Sequence, residues 1–309
     1  MTRLTLPEIA RALGGKVVGG QVLAPGPNHS AKDQSLAVRL SVGSPDGIIV
    51  HSHAGDDWRS CRDYVTGRLG LSSDWRRQDR PRSPAEEARR AEARRCAEEA
   101  EKVDLAGRQR RALMIWQEAR HPAGSIVETY LRSRALDLPE DIAGDVLRYH
   151  PRCPWEQSTA PAMVAALRCV RTAEIVGIHR TALTPDGAKM GRKMLGAALG
   201  AAIMLDAEDM VSTGLTVGEG IESCMSARQL GLRPVWALGS TANIAALPVL
   251  DGIESLTLLG ETGDGGASAR ACCDAGTRWH RAGRAVDIIT PRFGGDLNDA
   301  IRGDVALCA

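Results

Sequence analysis

Apolar residues change their spacing several times along the chain, and each spacing predicts a different type of element. In residues 4–13 they recur at helical spacing and stop at a Gly-Gly pair, which predicts a short helix that begins at Thr5. From residue 16 to residue 50 they form brief runs between turn residues, which predicts a small β-rich module. A helix is predicted next, and one of its faces carries Trp58, Cys61, Val65 and Leu69.

The segment 72–110 consists mainly of Arg, Glu and Ala and has almost no large apolar residue. Ser83, followed by Pro84 and acidic residues, is typical of a helix start. We interpret the segment as a solvated connector helix between domains. An arm that follows a nucleic-acid backbone is the alternative, but the interleaved Glu residues favour the connector.

Large apolar residues return at Leu113, where a helix is predicted, and a second helix follows in I-V-E-T-Y-L-R-S. Strands are predicted for V-L-R-Y-H-P, for A-M-V-A-A-L-R-C-V, which is apolar on both faces, and for I-V-G-I-H-R-T-A-L. The last of these runs into T-P-D-G, a sequence that favours a hairpin turn. The stretch A-K-M-G-R-K-M-L-G follows this turn.

Three apolar runs between residues 215 and 299 each stop at a carboxylate. L-T-V-G ends at Glu219, L-T-L-L-G ends at Glu261, and A-V-D-I-I-T continues through P-R-F-G-G to Asp296. The runs predict buried strands, and helical patterns lie between them, so we expect a mainly parallel sheet. Right-handed crossovers place the carboxyl ends of all its strands on one edge, where open α/β sheets bind ligands. The three carboxylates should therefore converge.

A divalent cation would explain such a cluster. Neighbouring carboxylates raise one another's pKa unless a cation lies among them, and hard oxygen ligands favour Mg²⁺, with Mn²⁺ as an alternative. Asp264 follows Glu261 in a glycine-rich turn, and Asp299 follows Asp296. Each acid, taken alone, is also explained as a residue that caps a helix. Three separate caps on one edge are a weaker explanation than one metal site.

A compact basic cluster lies just upstream of this acidic edge and contains Arg180, Lys189, Arg192 and Lys193. Alone it would be a solvated surface, but beside a metal site it is typical of a cluster that binds phosphates. The formal net charge is only +1, so contacts with nucleic acid must come from such local patches. No G-x-x-x-x-G-K-[ST] motif is present, which argues against P-loop nucleotide hydrolysis.

The eight cysteines include no C-x-x-C pair, and we find no signal peptide and no membrane-spanning run. We therefore expect a reduced, cytoplasmic protein without membrane contacts. His29, His51, His53 and Cys61 are candidate zinc ligands, but their spacing matches no strong zinc motif. A structural zinc ion is not predicted.

The order of strands, helices and acidic turns in the C-terminal part of the chain resembles the Toprim domain, the metal-binding module of topoisomerases, bacterial-type primases and some nucleases. The similar motifs are G-E-G-I-E, E-T-G-D-G-G and G-G-D-L-N-D. The resemblance implies acid/base chemistry for Glu219 and Mg²⁺ binding for Glu261, with Asp296 as an additional acid. The family has Asp-x-Asp after the third strand, whereas Gly263 occupies its second position and Asp264 comes one residue later. This departure removes one carboxylate of the expected pair but does not affect the predicted fold.

The rest of the chain is similar to bacterial-type primases and their relatives on phages, plasmids and integrative elements. The N-terminal module resembles their zinc ribbon, but Gly26 stands at the first cysteine position and only His29 is kept, so we expect a degenerate module. The fold class is α/β, with the Toprim sheet Rossmann-like. The predicted domains are the zinc-ribbon-like module (1–71), the connector helix (72–110), a primase-like basic α+β subdomain (111–210) and the Toprim domain (211–309).

The resemblance implies a primase-like protein of a mobile element that performs Mg²⁺-dependent nucleotidyl transfer on single-stranded DNA. Its partners would be single-stranded DNA, nucleoside triphosphates and a separate helicase or polymerase. Two alternatives stay open. One is a Toprim nuclease that uses the same metal site. The other is a non-catalytic nucleic-acid-binding or partner protein, which Gly263 and the missing zinc ligands favour.

Overall fold

A computed structural model describes residues 4–41, 44, 47–71, 84–292 and 295–303. The chain divides into two compact units, Met1–Glu98 and Glu99–Ala309. The division into four domains stays a prediction. Among the described helices, none combines the length and the apolar character that a membrane-spanning segment requires.

The N-terminal unit packs two helices on a four-stranded antiparallel sheet, whose strands follow one another in chain order. Its elements are α1 (Leu6–Leu13), β1 (Lys16–Val18), β2 (Gln21–Ala24), β3 (Leu36–Leu40), β4 (Ile48–Ser52) and α2 (Trp58–Arg68). The predicted start of α1 is confirmed, because Thr5 is its N-cap and Glu8 accepts a hydrogen bond of 2.9 Å from the Thr5 backbone N–H. The β-rich module is therefore present as predicted.

Helix α2 buries Cys61 and Val65 in the core of this unit, as the apolar spacing predicts. Trp58, on the same side by helical spacing, is nevertheless 54% exposed, and the centre of its ring lies 5.5 Å from the Arg59 guanidinium carbon. Helical spacing fixes the direction of a side chain. It does not fix how far the neighbouring sheet extends along the helix, and Trp58 stands in the first turn.

The imidazole of His29 is held between two carboxylates. Its Nδ1 lies 2.8 Å from Asp33 Oδ2 and its Nε2 lies 3.0 Å from Asp56 Oδ1. The Ser52 hydroxyl donates a further hydrogen bond of 2.8 Å to Asp56 Oδ2. Gly26 adjoins this cluster, since a Cβ on it would lie 3.1 Å from Asp56 Oδ2. These contacts thus join His29 to Asp33 and Asp56 and, through Asp56, to Ser52. The absence of zinc stays a prediction.

We expect Asp56→Asn to lower the pKa of His29. The hydrogen bond that the imidazole donates to Asp56, and after it the one to Asp33, raises that pKa above its ordinary value. The stabilisation from the charged imidazole is therefore fully present below the ordinary histidine pKa and is lost as the pH rises through the raised value. NMR titration of the imidazole resonances around neutral pH measures the change. Asp57→Asn is the matched control, because Asp57 caps α2 and bonds to Ser60 instead. An unchanged His29 pKa in Asp56→Asn would contradict the assignment.

The remaining elements follow in chain order, and the connector segment is helical from Pro84 onward. They are α3 (Pro84–Glu118), α4 (Ile126–Ser133), β5 (Leu147–Trp155), β6 (Ser158–Cys169), β7 (Ile175–Leu183), β8 (Lys189–Gly196), β9 (Ala201–Met204), β10 (Gly214–Gly218), α5 (Ile221–Gln229), β11 (Val235–Ala237), α6 (Thr241–Ala246), β12 (Ser255–Leu259), α7 (Ala267–Arg281), β13 (Ala285–Ile289) and α8 (Leu297–Arg302). The predicted boundary after residue 110 falls inside α3. Ser83, the predicted helix start, lies outside the described residues.

A nine-stranded sheet organises the larger unit, in the order β13-β12-β10-β11-β9-β6-β7-β8, with β5 paired to β6. Strands β10 to β13 pair in parallel, as the alternation of strand and helix predicts. The short β9 pairs antiparallel with both β11 and β6, and thereby joins the parallel half to the antiparallel half. The predicted hairpin is also present, because β7 and β8 pair antiparallel. The α/β fold class with a mainly parallel C-terminal sheet is confirmed.

Strand β13 departs from the prediction of a buried strand. It lies at the edge of the sheet, pairs only with β12, and leaves Ile288 49% exposed. Apolar runs of this length occur in central and edge strands alike, so the sequence does not distinguish the two positions. Strand β6, in the middle of the sheet, keeps the predicted burial on both faces from Ala162 to Leu167.

A buried carboxylate in the turn after β9 ties several elements together. The side chain of Asp206 is 1% exposed and accepts hydrogen bonds from Arg228 Nε (3.0 Å), Arg233 Nε (2.8 Å) and the Val235 backbone N–H (2.8 Å). Arg228 belongs to α5, and Val235 begins β11. Arg228 also pairs with Asp141, which precedes β5. Asp206 therefore fixes the start of β11 and the far end of the helix that follows Glu219.

Candidate active site

Strand β10 carries Glu219 directly past its carboxyl end. The strand is buried from Leu215 to Gly218, and Gly220 follows as the N-cap of α5. The Glu219 side chain is 10% exposed, and its Oε1 lies 2.6 Å from Arg192 Nη2 on β8. A buried carboxylate is costly unless a charged partner compensates it. Arg192 supplies that compensation, so the predicted catalytic acid and one predicted phosphate-binding cation form an ion pair.

Glu222, the second glutamate of the G-E-G-I-E motif, also belongs to the candidate site. It is 7% exposed, and its Oε1 accepts hydrogen bonds from Lys189 Nζ (2.7 Å) and from the Tyr130 hydroxyl. Burial alone would raise the pKa of Glu222, but Lys189 and Tyr130 hold it at about 2, so the group is ionised. Burial and the adjacent Glu222 raise the pKa of Tyr130, which stays a donor. The signal that could have identified it is its position in the first turn of α5, three residues after Glu219.

Glu261 lies at the end of β12, beside the other acids. Burial, followed by the charges of Glu219, Asp296 and Asp264, raises the pKa of Glu261 to about 7, against the opposing effect of Arg192. Its backbone N–H donates to Ser268 Oγ (2.9 Å) on α7. The strand-end carboxylates therefore lie close enough to influence one another. Their charges, added to the effect of burial, raise the pKa of Glu261.

The three aspartates of the predicted metal site act as helix caps in this structure. Asp264 accepts hydrogen bonds from the backbone N–H groups of Gly266 (3.0 Å) and Ser268, and Asp296 accepts one from the Asp299 N–H (2.8 Å). Asp299 accepts from the Gly295 N–H (3.1 Å) and also pairs with Arg134 at 3.5 Å. The capping explanation and the metal explanation are compatible, because an ionised carboxylate has lone pairs for both.

The predicted basic cluster divides between the two faces of the β7–β8 hairpin. Lys189 and Arg192 face the acidic edge and pair with its glutamates. Lys193 follows Arg192 directly and so points to the opposite face, where it pairs with Glu156 at 2.8 Å. Arg180 lies opposite Lys193 in the ladder and donates to the Pro154 carbonyl oxygen (2.7 Å). The structure therefore brings only two of the four predicted cations to the carboxylates.

Several buried polar groups near this cluster have no hydrogen-bond partner among the described residues. His179 Nδ1 and Thr181 Oγ1 lie on β7, and Ser223 Oγ lies on α5, and all three residues are at most 4% exposed. Burial, which is the largest effect, lowers the pKa of His179 to about 4, so its ring is neutral at physiological pH. Unpaired polar atoms in a protein interior cost free energy and are enriched at sites that bind ions, water or ligands.

The donor set fits a hard divalent cation, since every acid at the edge offers carboxylate oxygens and Ser223 adds a hydroxyl. In the described part of the chain, no three His, Cys, Asp or Glu side chains already stand at positions where they could share one ion. Carboxylate side chains would therefore have to rotate when a cation binds. Burial is the largest cause of the raised pKa of Glu261, and the charges of Glu219 and Asp296 add to it, so a bound cation would favour the ionised carboxylate.

The fold and these strand-end acids define a parallel α/β module with an acidic edge. Residues 214–305 match the family model of the Toprim domain, so this part of the chain is a Toprim domain, as the sequence predicts. Residues 106–205 match the model of a domain of unknown function (DUF7146). A comparison with curated proteins gives no match.

Solved structures of primases are similar to the chain at low identity. The primase fragment of the bacteriophage T7 primase-helicase protein is 20% identical, with 47% of this chain and 59% of that chain covered and a TM-score of 0.36. The Aquifex aeolicus primase (zinc-binding and RNA polymerase domains) is 15% identical, with 96% and 78% covered and a TM-score of 0.44. A DNA primase domain from Pseudomonas aeruginosa is 15% identical, with 64% and 75% covered and a TM-score of 0.44.

Proposed function

We propose that this protein synthesises primers by joining nucleotides on a single-stranded DNA template. The observation that carries the proposal is the direct pairing of Toprim acids with cations of the preceding hairpin, Glu219 with Arg192 and Glu222 with Lys189. Phosphoryl transfer requires a cation site and phosphate-binding side chains within one substrate length of each other. A Toprim module and a basic strand that meet at such short distances satisfy this requirement.

Glu261 and Asp264 would hold Mg²⁺, and Asp296 and Asp299 extend the acidic edge. When bound, the ion supplies positive charge that offsets the charge developing on the transferred phosphoryl group. Glu219 accepts the proton of the 3′-hydroxyl, whose oxygen forms a bond to the α-phosphorus of the incoming nucleotide while the bond to pyrophosphate breaks and pyrophosphate leaves. Arg192 holds the Glu219 carboxylate in place. Backbone capping by Asp264 and Asp296 orients the carboxylates before any ion binds.

We expect the cations on the two faces of the hairpin to bind different phosphates. Lys189 and Arg192 lie beside the acids and can turn towards the triphosphate of the incoming nucleotide. Arg180 and Lys193, on the other face, are placed to follow the phosphates of the template. Lys193 also lies 4.9 Å from the centre of the Trp155 ring, an aromatic surface on which a base can stack.

The experiment that tests the function uses the full chain with nucleoside triphosphates, labelled single-stranded DNA and Mg²⁺ or Mn²⁺. Primer synthesis gives new oligoribonucleotides, whereas a Toprim nuclease shortens the labelled strand. Appearance of oligoribonucleotides that requires both template and divalent cation supports the proposal. Strand scission without synthesis would assign the site to the nuclease alternative.

A non-catalytic nucleic-acid-binding or partner protein is the second candidate. It is favoured by Gly263, which removes one carboxylate of the Toprim pair, and by the hydrogen-bonded His29 cluster at the position of the zinc ribbon. Binding of single-stranded DNA without synthesis or scission would support it. The proposed role in a mobile element, in the cytoplasm and beside a separate helicase or polymerase, applies to either candidate.

A further inference from the structure

In the turn after β12, Gly263 stands at the position where the second carboxylate of the pair is expected. Gly263 has φ +82°, a conformation that aspartate adopts only with strain. Nothing lies within 4 Å of a Cβ placed on it, so packing does not explain the glycine. Besides Asp264, an ion bound at Glu261 would therefore need a further oxygen ligand, and a different element can supply it.

Gly220 provides a space that is lined by such oxygens. A Cβ added to Gly220 would lie 3.4 Å from Ser223 Oγ, 3.7 Å from Glu222 Oε2 and 3.8 Å from Glu261 Oε1. Three oxygen atoms from α5 and from the end of β12 therefore surround one point. The backbone of Gly220 has φ −83° and ψ 145°, which any residue adopts, so backbone strain does not explain why this residue is a glycine.

The partners of these oxygens show which of them are available. Lys189 and Tyr130 both bind Glu222 at Oε1, which leaves Oε2 directed to the Gly220 space. Ser223 is 2% exposed, and its Oγ has no hydrogen-bond partner among the described residues. A buried hydroxyl that points at this space without a partner is an independent indication that a ligand belongs there.

We propose that Glu222 and Ser223 replace the carboxylate absent at position 263, so that Mg²⁺ binds in the Gly220 space between Glu222 Oε2, Glu261 Oε1 and Ser223 Oγ. The inference rests on the proposed function and specifies the ligands of the same site. Ligand oxygens lie about 2.1 Å from Mg²⁺, so the three side chains turn inward when the ion binds. Lys189 and Tyr130 position Glu222 from behind and are not ligands.

Gly220→Ala is the sharpest test, because its methyl group occupies the space without strain. Its contacts of 3.4 to 3.8 Å are ordinary van der Waals distances, so the variant should fold normally. We expect its affinity for Mn²⁺, the probe ion, to fall at least about tenfold, measured by the electron paramagnetic resonance signal of free Mn²⁺ in the absence of nucleotide and DNA. Gly214→Ala, at the other end of β10 where a Cβ meets no atom within 4 Å, is the matched control and should bind Mn²⁺ as wild type does.

Ser223→Ala provides a second test on the same helix. We expect weaker Mn²⁺ binding with an unchanged or higher melting temperature, because the hydroxyl that is lost has no partner. Ser226→Ala is its control: Ser226 Oγ donates to the Glu222 carbonyl oxygen (2.9 Å) and accepts from Asn298 Nδ2 (3.0 Å), so stability should fall while Mn²⁺ affinity stays. If Gly220→Ala and Ser223→Ala both bind Mn²⁺ with the affinity of the wild type, this inference is wrong, while the proposed function is unaffected. No Mn²⁺ binding by the wild type, together with no primer synthesis, would overturn the proposed function as well.

Discussion

Replacing Glu219 with Gln is expected to slow template-dependent primer synthesis by at least about 100-fold, the usual contribution of a positioned general base. Glutamine keeps the size of the side chain and can still accept a hydrogen bond from Arg192, but it cannot take the proton of the attacking hydroxyl. The Arg192 side chain is 45% exposed, so water can solvate its charge and the fold should persist. Initial rates of oligoribonucleotide formation at saturating nucleotide measure the effect.

Glu208→Gln is the matched control, since it makes the same chemical change at an exposed glutamate in the turn after β9. Its rate should equal that of the wild type. If Glu219→Gln also retains the wild-type rate and an unchanged biological phenotype, Glu219 has no catalytic role, and the binding-only candidate is the better description of the protein.

Replacing Asp206 with Ala is expected to lower the free energy of unfolding by about 3–5 kcal/mol, the usual effect of removing one partner from a buried ion pair. The Arg228 side chain is 8% exposed and would lose the partner of its Nε. The Val235 N–H would also lose its hydrogen bond to Asp206 Oδ2. Urea denaturation followed by circular dichroism measures the change. The larger unit should show it, since all three residues belong to that unit.

Asp209→Ala tests whether this effect belongs to the buried network. Asp209 lies three residues further along the same turn but is exposed, so its removal should change stability by no more than about 0.5 kcal/mol. If Asp206→Ala lowers the free energy of unfolding as little as Asp209→Ala does, Arg228 and Arg233 find other partners when Asp206 is absent.

The parallel half of the sheet could be predicted because every strand there is followed by a helix, and the crossover rule then fixes the edge at which the strands end. Strand β9 could not be predicted. Its four residues, A-A-I-M, carry no periodicity, and its role depends on two partners, β6 and β11, that are distant in sequence. The exposure of Trp58 and Ile288 likewise depends on where neighbouring elements stop, which local spacing does not encode.

The acids of the candidate site could be predicted for the same topological reason, but their partners could not. Which cations of β8 face Glu219 and Glu222 depends on the register with β7, including an irregularity between Ala182 and Leu183. Tyr130 reaches Glu222 from a helix that is 92 positions earlier in the chain. Asp206 follows an apolar run with no motif around it, so no local pattern marks it as the centre of a buried network.

Strand β9, which joins the parallel half of the sheet to the antiparallel half, determines which side chains meet at the site. Five strand spacings separate β8 from β10 along the sheet, which would place them roughly 24 Å apart in a flat sheet. Arg192 nevertheless lies 2.6 Å from Glu219, so the sheet must fold back on itself between these strands. The bend brings the cations of β8 into direct contact with the acids at the Toprim strand ends. In a flat sheet these charges would lie too far apart to compensate one another.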